Sequence, residues 1–277
     1  MKIGLHVRLG EGPTAAVQYA QSLGCSAIQV FIGNPRSYKI TPIDEAMLAD
    51  FAALRKTAKI DQCVIHTSYL INLASDDPRI RHGSANLLTH DLRAAAVGKM
   101  RYVNTHIGSY GERDRQEGFA TVCRALERAL ETIETDVDLV LENSAGAGNL
   151  AGGTLDELGA FLRALDHPQL GICIDTAHAW ASGYALDTPE HVDEFLCEAD
   201  AKIGLARIKM LHINDTQIPL GGARDRHWHI GRGNIGLAGF RALLTRPELA
   251  RKTAILETPG ERDDDAANME AIRAILE

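Results

Sequence analysis

Potential metal ligands recur along this 277-residue chain at the places where short apolar, β-branched runs stop. Taking those runs as strands, the third stops at His66, the fourth at His106 and the fifth at Glu142. The sixth stops at Asp175 and His178, the seventh at His212 with Asp215, and the eighth at Glu257. A lone histidine at a strand end is more often a hydrogen-bonded core residue than a ligand. Six successive strand ends each carrying His, Asp or Glu would arise by chance in fewer than about one case in a hundred, so the set reads as a site. Asp225 and His227 in ARDRHWHIG add a chelating pair, because alternate side chains of an extended segment share a face. Imidazole and carboxylate donors without thiolate suit zinc or manganese, and a carboxylate between neighbouring ions can bridge them at about 3.5 to 4 Å. A multinuclear centre of this kind activates water at neutral pH and neutralises a departing oxygen, which is the chemistry that breaks a phosphodiester. No nucleophile-elbow GxSxG offers a competing covalent route.

Positioning these residues requires strands, which the pattern places near residues 2, 27, 63, 102, 138, 170, 208 and 253. Helical periodicity fills the intervals, over 14–24, 44–58, 88–100, 119–133, 154–166, 189–204, 236–244 and 264–276. Strand and helix alternate from one end to the other, as in a parallel sheet. Eight such units without a break in composition, in a chain close to the usual length of about 250 residues, predict one α/β domain over 1–277, a closed (β/α)₈ TIM barrel. In that architecture the strand ends face one another across one rim. The glycine-rich stretches GAGNLAGG (146–153) and GRGNIG (231–236) lack the placement and spacing of dinucleotide or P-loop motifs and are expected to be loops.

Composition narrows the function classes. Apolar residues at 45% and charged residues at 24% are ordinary globular values. The five cysteines show no CxxC spacing and are expected to be buried, reduced thiols. A start of MKIGLHVRLG runs directly into a strand without signal-peptide features, and no apolar run reaches the roughly 18 residues of a membrane helix, so a cytoplasmic protein without membrane contact is expected. The formal charge of −8 excludes a uniformly basic nucleic-acid coat but not a local site.

Several segments are similar to the signature stretches of the endonuclease IV family: HTSYLINLAS (66–75), LENSAGAGNLAG (141–152), GICIDTAHAWASGY (171–184), HINDTQIPLGGARDRHWHIGRGNIG (212–236) and ILET (255–258). The similarity runs in order through the whole chain. It implies three zinc ions, with Mn²⁺ as a possible substitute. By that match His66, His106 and Glu142 hold the first, and Glu142 bridges to a second that Asp175, His212 and Glu257 complete. His178, Asp225 and His227 hold the third. The implied reaction is hydrolysis of the phosphodiester 5′ to an abasic site in duplex DNA, leaving a 3′-hydroxyl and a 5′-deoxyribose phosphate, with Glu142 and Glu257 positioning the attacking hydroxide. Arg36 in NPRSY and Tyr69 in HTSYL match groups that enter the minor groove and probe the gap beside the flipped-out sugar. A monomer is expected. Three zinc ions would bring the charge of −8 to about −2, concentrated in the cleft.

One departure stands directly beside His227. Trp228 replaces a residue that is commonly Glu, and the adjacent His229 resembles a ligand but is left out of the set, as are His6, His82, His90, His167 and His191. The alternative is a single-metal sugar isomerase or epimerase on a similar barrel, which Glu142, Asp175, His212 and Glu257 alone would satisfy. The other five expected ligands have no use there.

Overall fold

The computed structural model describes residues 1–133 and 136–277. Its strands are β1 (Lys2–His6), β2 (Ala27–Val30), β3 (Gln62–His66), β4 (Tyr102–Thr105), β5 (Asp138–Glu142), β6 (Leu170–Asp175), β7 (Ile208–His212) and β8 (Thr253–Leu256). Each pairs in parallel with its sequence neighbour, and β1 pairs with β8, closing the barrel. The helices are α1 (Pro13–Ser22), α2 (Glu45–Thr57), α3 (Pro78–Val97), α4 (Arg115–Leu130), α5 (Leu155–Leu165), α6 (Thr176–Ala181), α7 (Pro189–Lys202), α8 (Gly236–Leu244) and α9 (Arg262–Leu276).

Capping chemistry sets where many of them begin. Asp44, Asp77, Asp114, Thr154 and Thr188 each accept a main-chain N–H from the first turn, a contribution of about 1 kcal/mol apiece. Asp77 followed by Pro78 starts α3 well before residue 88, where apolar periodicity alone placed it, because Pro at the first helical position loses no hydrogen bond. The expected sixth strand ran on through His178. Instead β6 stops at Asp175, whose Oδ1 accepts from His178 N at 2.8 Å and turns the chain into α6.

Strand alternation explains how the barrel presents its polar rim. Ala27, Val64, Val140, Cys173, Met210 and Ile255, with Tyr102 packed against them, form a small interior cluster separate from the larger core under the helices. Side chains two residues further along point the same way. From those seven positions the step leads to Gln29, His66, Glu142, Asp175, His212, Glu257 and Asn104. An apolar plug thus floors a layer of polar groups at the carboxyl ends of the strands, where barrel enzymes place their chemistry.

Between β1 and β2 the backbones approach so closely that a Cβ added at Gly4 would lie 1.6 Å from the Ala27 carbonyl oxygen. Only glycine fits there. All five cysteines are free, and Cys25, Cys63 and Cys173 are buried as expected. Cys123 is only partly buried and Cys197 is exposed on α7, because a helix surface accepts a small thiol without cost. No helix of the described residues is long and apolar enough to cross a membrane.

Candidate metal centre

The polar layer brings eight of the nine expected ligands into three overlapping groups, within each of which the donor atoms lie within 4.8 Å of one another. His66, His106 and Glu142 form the first; Glu142, Asp175, His212 and Glu257 the second; Asp175, His178 and His227 the third. Glu142 is shared by the first two groups. Its Oε2 lies 3.4 Å from His66 Nε2 and 3.9 Å from His106 Nε2, and its Oε1 lies 3.1 Å from His212 Nδ1. His212 Nδ1 also lies 3.2 Å from Glu257 Oε2 and 3.9 Å from Asp175 Oδ2.

Asp225 differs from the expectation. It sits at the exposed edge of the third group, with Oδ1 3.1 Å from His178 Nε2 and 3.5 Å from His227 Nε2, while the buried Asp175 reaches His227 Nε2 at 3.4 Å. The acidic donor on that side is therefore shared between two residues. The reason is local: Asp175 faces inward at the end of β6, whereas Asp225 lies on the long loop after β7.

The imidazoles are oriented by oxygen atoms behind them. His66 Nδ1 meets Thr67 O at 2.7 Å, His178 Nδ1 meets Asn143 O at 3.0 Å, and His227 Nδ1 meets Glu257 O at 3.1 Å. A ring N–H donating to a carbonyl leaves the other nitrogen bare and aimed at the cluster, the arrangement a metal ligand needs. His178 Nε2 and His227 Nε2 are buried there without a hydrogen-bond partner. Orphaned, inward-facing imidazole nitrogens beside carboxylate oxygens fit divalent cations with N and O preference.

The electrostatics of the site agree. Burial would raise the Glu142 carboxyl, but the surrounding imidazoles, His106 and His212 foremost, hold it well below the usual range. Glu257 behaves alike, burial being outweighed by His212 and by a contact with His6. Burial opposes charge on His212, yet Cys173, Glu257 and Glu142 carry it well above its ordinary value. For His178, burial is overcome by Asp175 and Asp225. Asp225 is pulled to about 2 despite partial burial, through His178. Carboxylates thus favour positive charge at His178 and His212, the charge a metal cation would supply on binding there.

The layer also contains groups that strand-end reasoning passed over. Asn104 Nδ2 donates to Glu142 Oε2 at 2.6 Å, Asn214 Nδ2 to Asp175 Oδ2 at 2.7 Å, and Gln29 Nε2 to Glu257 Oε1 at 2.5 Å. His6, set aside in the sequence, stands here too, with Nδ1 3.1 Å from Gln29 Nε2. Its place is fixed by the register of β1 with β2, which pairs His6 with Gln29. The signal that would have found Gln29 and Asn104 is the two-residue step from Ala27 and Tyr102.

Asp215, at the end of the seventh predicted strand, is not part of the cluster. Its buried carboxylate accepts main-chain N–H groups from Thr216, Gly233, Ile235 and Gly236 at 2.8 to 3.2 Å. The GRGNIG loop is therefore wrapped around the chain's own anion, which is why no phosphate is needed to shape it. His229 is held by Asn268 at 3.2 Å and faces Asp264 at 4.0 Å, so it fastens this loop to α9. The Trp228 ring lies 5.0 Å from that of His229.

Above the three donor groups opens a cleft of about 1090 Å³, lined by His66, His106, His178, Asp225, His227 and Glu257. Arg36 and Tyr69 line it as well. Tyr69 is 58% exposed and packs edge-on against Phe31 at 5.0 Å.

Comparison with known proteins agrees with this geometry. The family described as xylose isomerase-like TIM barrel matches residues 17–277. A probable endonuclease 4 of Natranaerobius thermophilus is 39% identical over 278 residues, covering 100% of this chain and 98% of the relative. The crystal structure of endonuclease IV from Thermus thermophilus superposes with a TM-score of 0.89 at 32% identity, covering 100% of this chain and 99% of that one. A D-tagatose 3-epimerase-like protein shares the fold at a TM-score of 0.78 and 22% identity, over 100% of this chain and 97% of that one. With full-length identity above the level at which fold alone is shared, the chain belongs to the endonuclease IV family of TIM-barrel enzymes.

Proposed function

We propose that the chain, acting as one domain over 1–277 and as a cytoplasmic monomer, hydrolyses the phosphodiester 5′ to abasic sites in duplex DNA. The observation that supports this reading most is the overlap of three donor groups through Glu142 and Asp175, which a single-cation sugar isomerase does not require. His66, His106 and Glu142 would hold one zinc ion, Glu142, Asp175, His212 and Glu257 a second, and His178, Asp225 and His227 a third, with Asp175 close enough to support it. Zinc suits this thiolate-free set of imidazoles and carboxylates, and Mn²⁺ is the expected substitute. Cations held by these residues would supply Lewis acidity, lowering the pKa of water at neutral pH and neutralising charge on the departing 3′ oxygen.

The chain's own groups do the remaining work. Glu257 is the carboxylate of the second group that also lines the cleft, so it can orient the attacking oxygen and take up its proton. Glu142, buried beneath it, fixes the spacing of the first two groups. Arg36 offers a cation to a backbone phosphate or the minor groove. Tyr69 offers an exposed ring that can replace the missing stack beside a lesion.

Product analysis tests the position of the cut. A duplex with one stable abasic analogue, labelled at its 5′ end, is expected to give a labelled fragment that a polymerase extends, showing a 3′-hydroxyl. A fragment that cannot be extended, or cutting on the 3′ side, would overturn the assignment.

A further inference from the structure

Carboxamides recur behind the central donor group, one to each carboxylate. Asn104 holds Glu142, Asn214 holds Asp175, and Gln29 holds Glu257, and all three amides are fully buried. A buried primary amide costs free energy for each donor or acceptor left unused, as at the unpartnered Asn104 Oδ1. Gln29 uses its donors and acceptor on three different partners. One N–H reaches Glu257 Oε1 at 2.5 Å, the other meets His6 Nδ1 at 3.1 Å, and the carbonyl oxygen lies 2.9 Å from His212 Nε2.

The last contact is of a different kind from those of the other rings. His66, His178 and His227 are oriented by main-chain carbonyls, which no substitution removes. His212 is oriented by a side chain on a strand that offers the cluster no ligand of its own. The Gln29 carbonyl accepts from Nε2–H, which turns Nδ1 to within 3.1 Å of Glu142 Oε1 and 3.2 Å of Glu257 Oε2, as the atom a bound cation would take in place of a proton. The same amide takes Glu257 Oε1, which leaves Oε2 as the oxygen that faces His212. His6 completes the set, its Nδ1 accepting the second amide N–H.

We propose that Gln29 is a positioning residue of the metal centre, which fixes the tautomer of His212 and the rotamer of Glu257 together so that both present one free atom to the same cation. This deepens the metal-dependent reading and rests on it. Partners that orient a metal ligand contribute roughly 10- to 100-fold to metal affinity or activity when removed.

The test uses the full chain with Gln29→Met, which keeps volume and removes both polar ends, and Gln29→Glu, which keeps an acceptor for His212 and removes the donor to Glu257. Metal content is measured by elemental analysis across a buffered free-zinc series, and the visible spectrum is recorded after cobalt substitution. Melting of the metal-free proteins and kcat and KM for nicking an abasic duplex complete the comparison. Expected for Gln29→Met is a metal-free form that melts like wild type, one ion whose affinity is weaker by roughly 10- to 100-fold, an altered cobalt spectrum, and a loss in kcat with KM little changed. Should Gln29→Met fail to fold, the isosteric Gln29→Glu decides the matter by the same metal and spectral readouts. Wild-type zinc affinity and an unchanged cobalt spectrum in the folded variant would overturn the proposal. A wild-type protein that binds metal but leaves abasic duplex uncut would overturn the substrate assignment alone, since the affinity and cobalt data judge Gln29 without any substrate.

Discussion

Glu142 concentrates the logic of the site in one side chain. It is buried, it faces His66 and His106 through one oxygen and His212 through the other, and Asn104 holds it from behind. Glu142→Gln keeps the volume but removes the charge, and places an amide N–H against a donor. Nicking activity of this variant is expected to fall by more than roughly 100-fold, the upper scale on which even outer partners of a ligand matter, with loss of bound metal visible by elemental analysis. Activity near wild type would contradict its bridging place. Tyr69 tests the opposite face of the account. Its ring lies 6.1 Å from that of His66 but brings no donor atom to the three groups, and it stands exposed over the cleft, so Tyr69→Ala should leave metal content intact and weaken binding to an abasic duplex. Base–aromatic stacking is worth about 1–3 kcal/mol, so the loss in affinity should be roughly ten-fold or more in a titration at fixed salt. Unchanged affinity would remove Tyr69 from the DNA contact.

Loops and strands divide the structural work differently from what a list of strand ends suggests. Asp215 looks like a ligand in sequence, yet its carboxylate anchors the loop 231–236 through main-chain N–H groups. Its own carbonyl accepts from Trp228 N, and the adjoining Thr216 hydroxyl donates to Arg226 O, so the segment that carries Asp225 and His227 is pinned from the same place. Charge-assisted bonds of the carboxylate's kind are strong and costly to leave unmade. Asp215→Ala should cost about 3 kcal/mol and lower the melting temperature by roughly 5–10 °C. A melting curve that superposes on wild type would show that the loop holds itself. Strand positions and the order of the donor side chains at their ends were legible because period-two alternation and abrupt polar endings are written into single strands. The start of α3 and the short α6 were not, because capping by Asp77 and Asp175 outweighs apolar periodicity at those points. Gln29 and Asn104 were missed for another reason. An amide is silent as a ligand, and its value emerges only when the barrel closes and sets it behind Glu257 or Glu142.

At the scale of the whole molecule, an acidic chain of net charge −8 has to attract a polyanion at one place. The barrel gathers Glu142, Asp175 and Glu257 with His66, His106, His178, His212 and His227 at one rim, beneath a cleft of about 1090 Å³ that Arg36 and Tyr69 also line. Cations bound there would turn a cluster that holds three carboxylates into the local positive centre that phosphates need. The direct test is to strip the protein of metal, titrate it with zinc, and follow bound zinc per chain together with nicking of abasic and undamaged duplexes. The account predicts no cutting by the metal-free protein, restoration as the three donor groups fill, and an intact undamaged duplex throughout. Saturation at one ion per chain, with abasic duplex uncut and a ketose turned over instead, would contradict it.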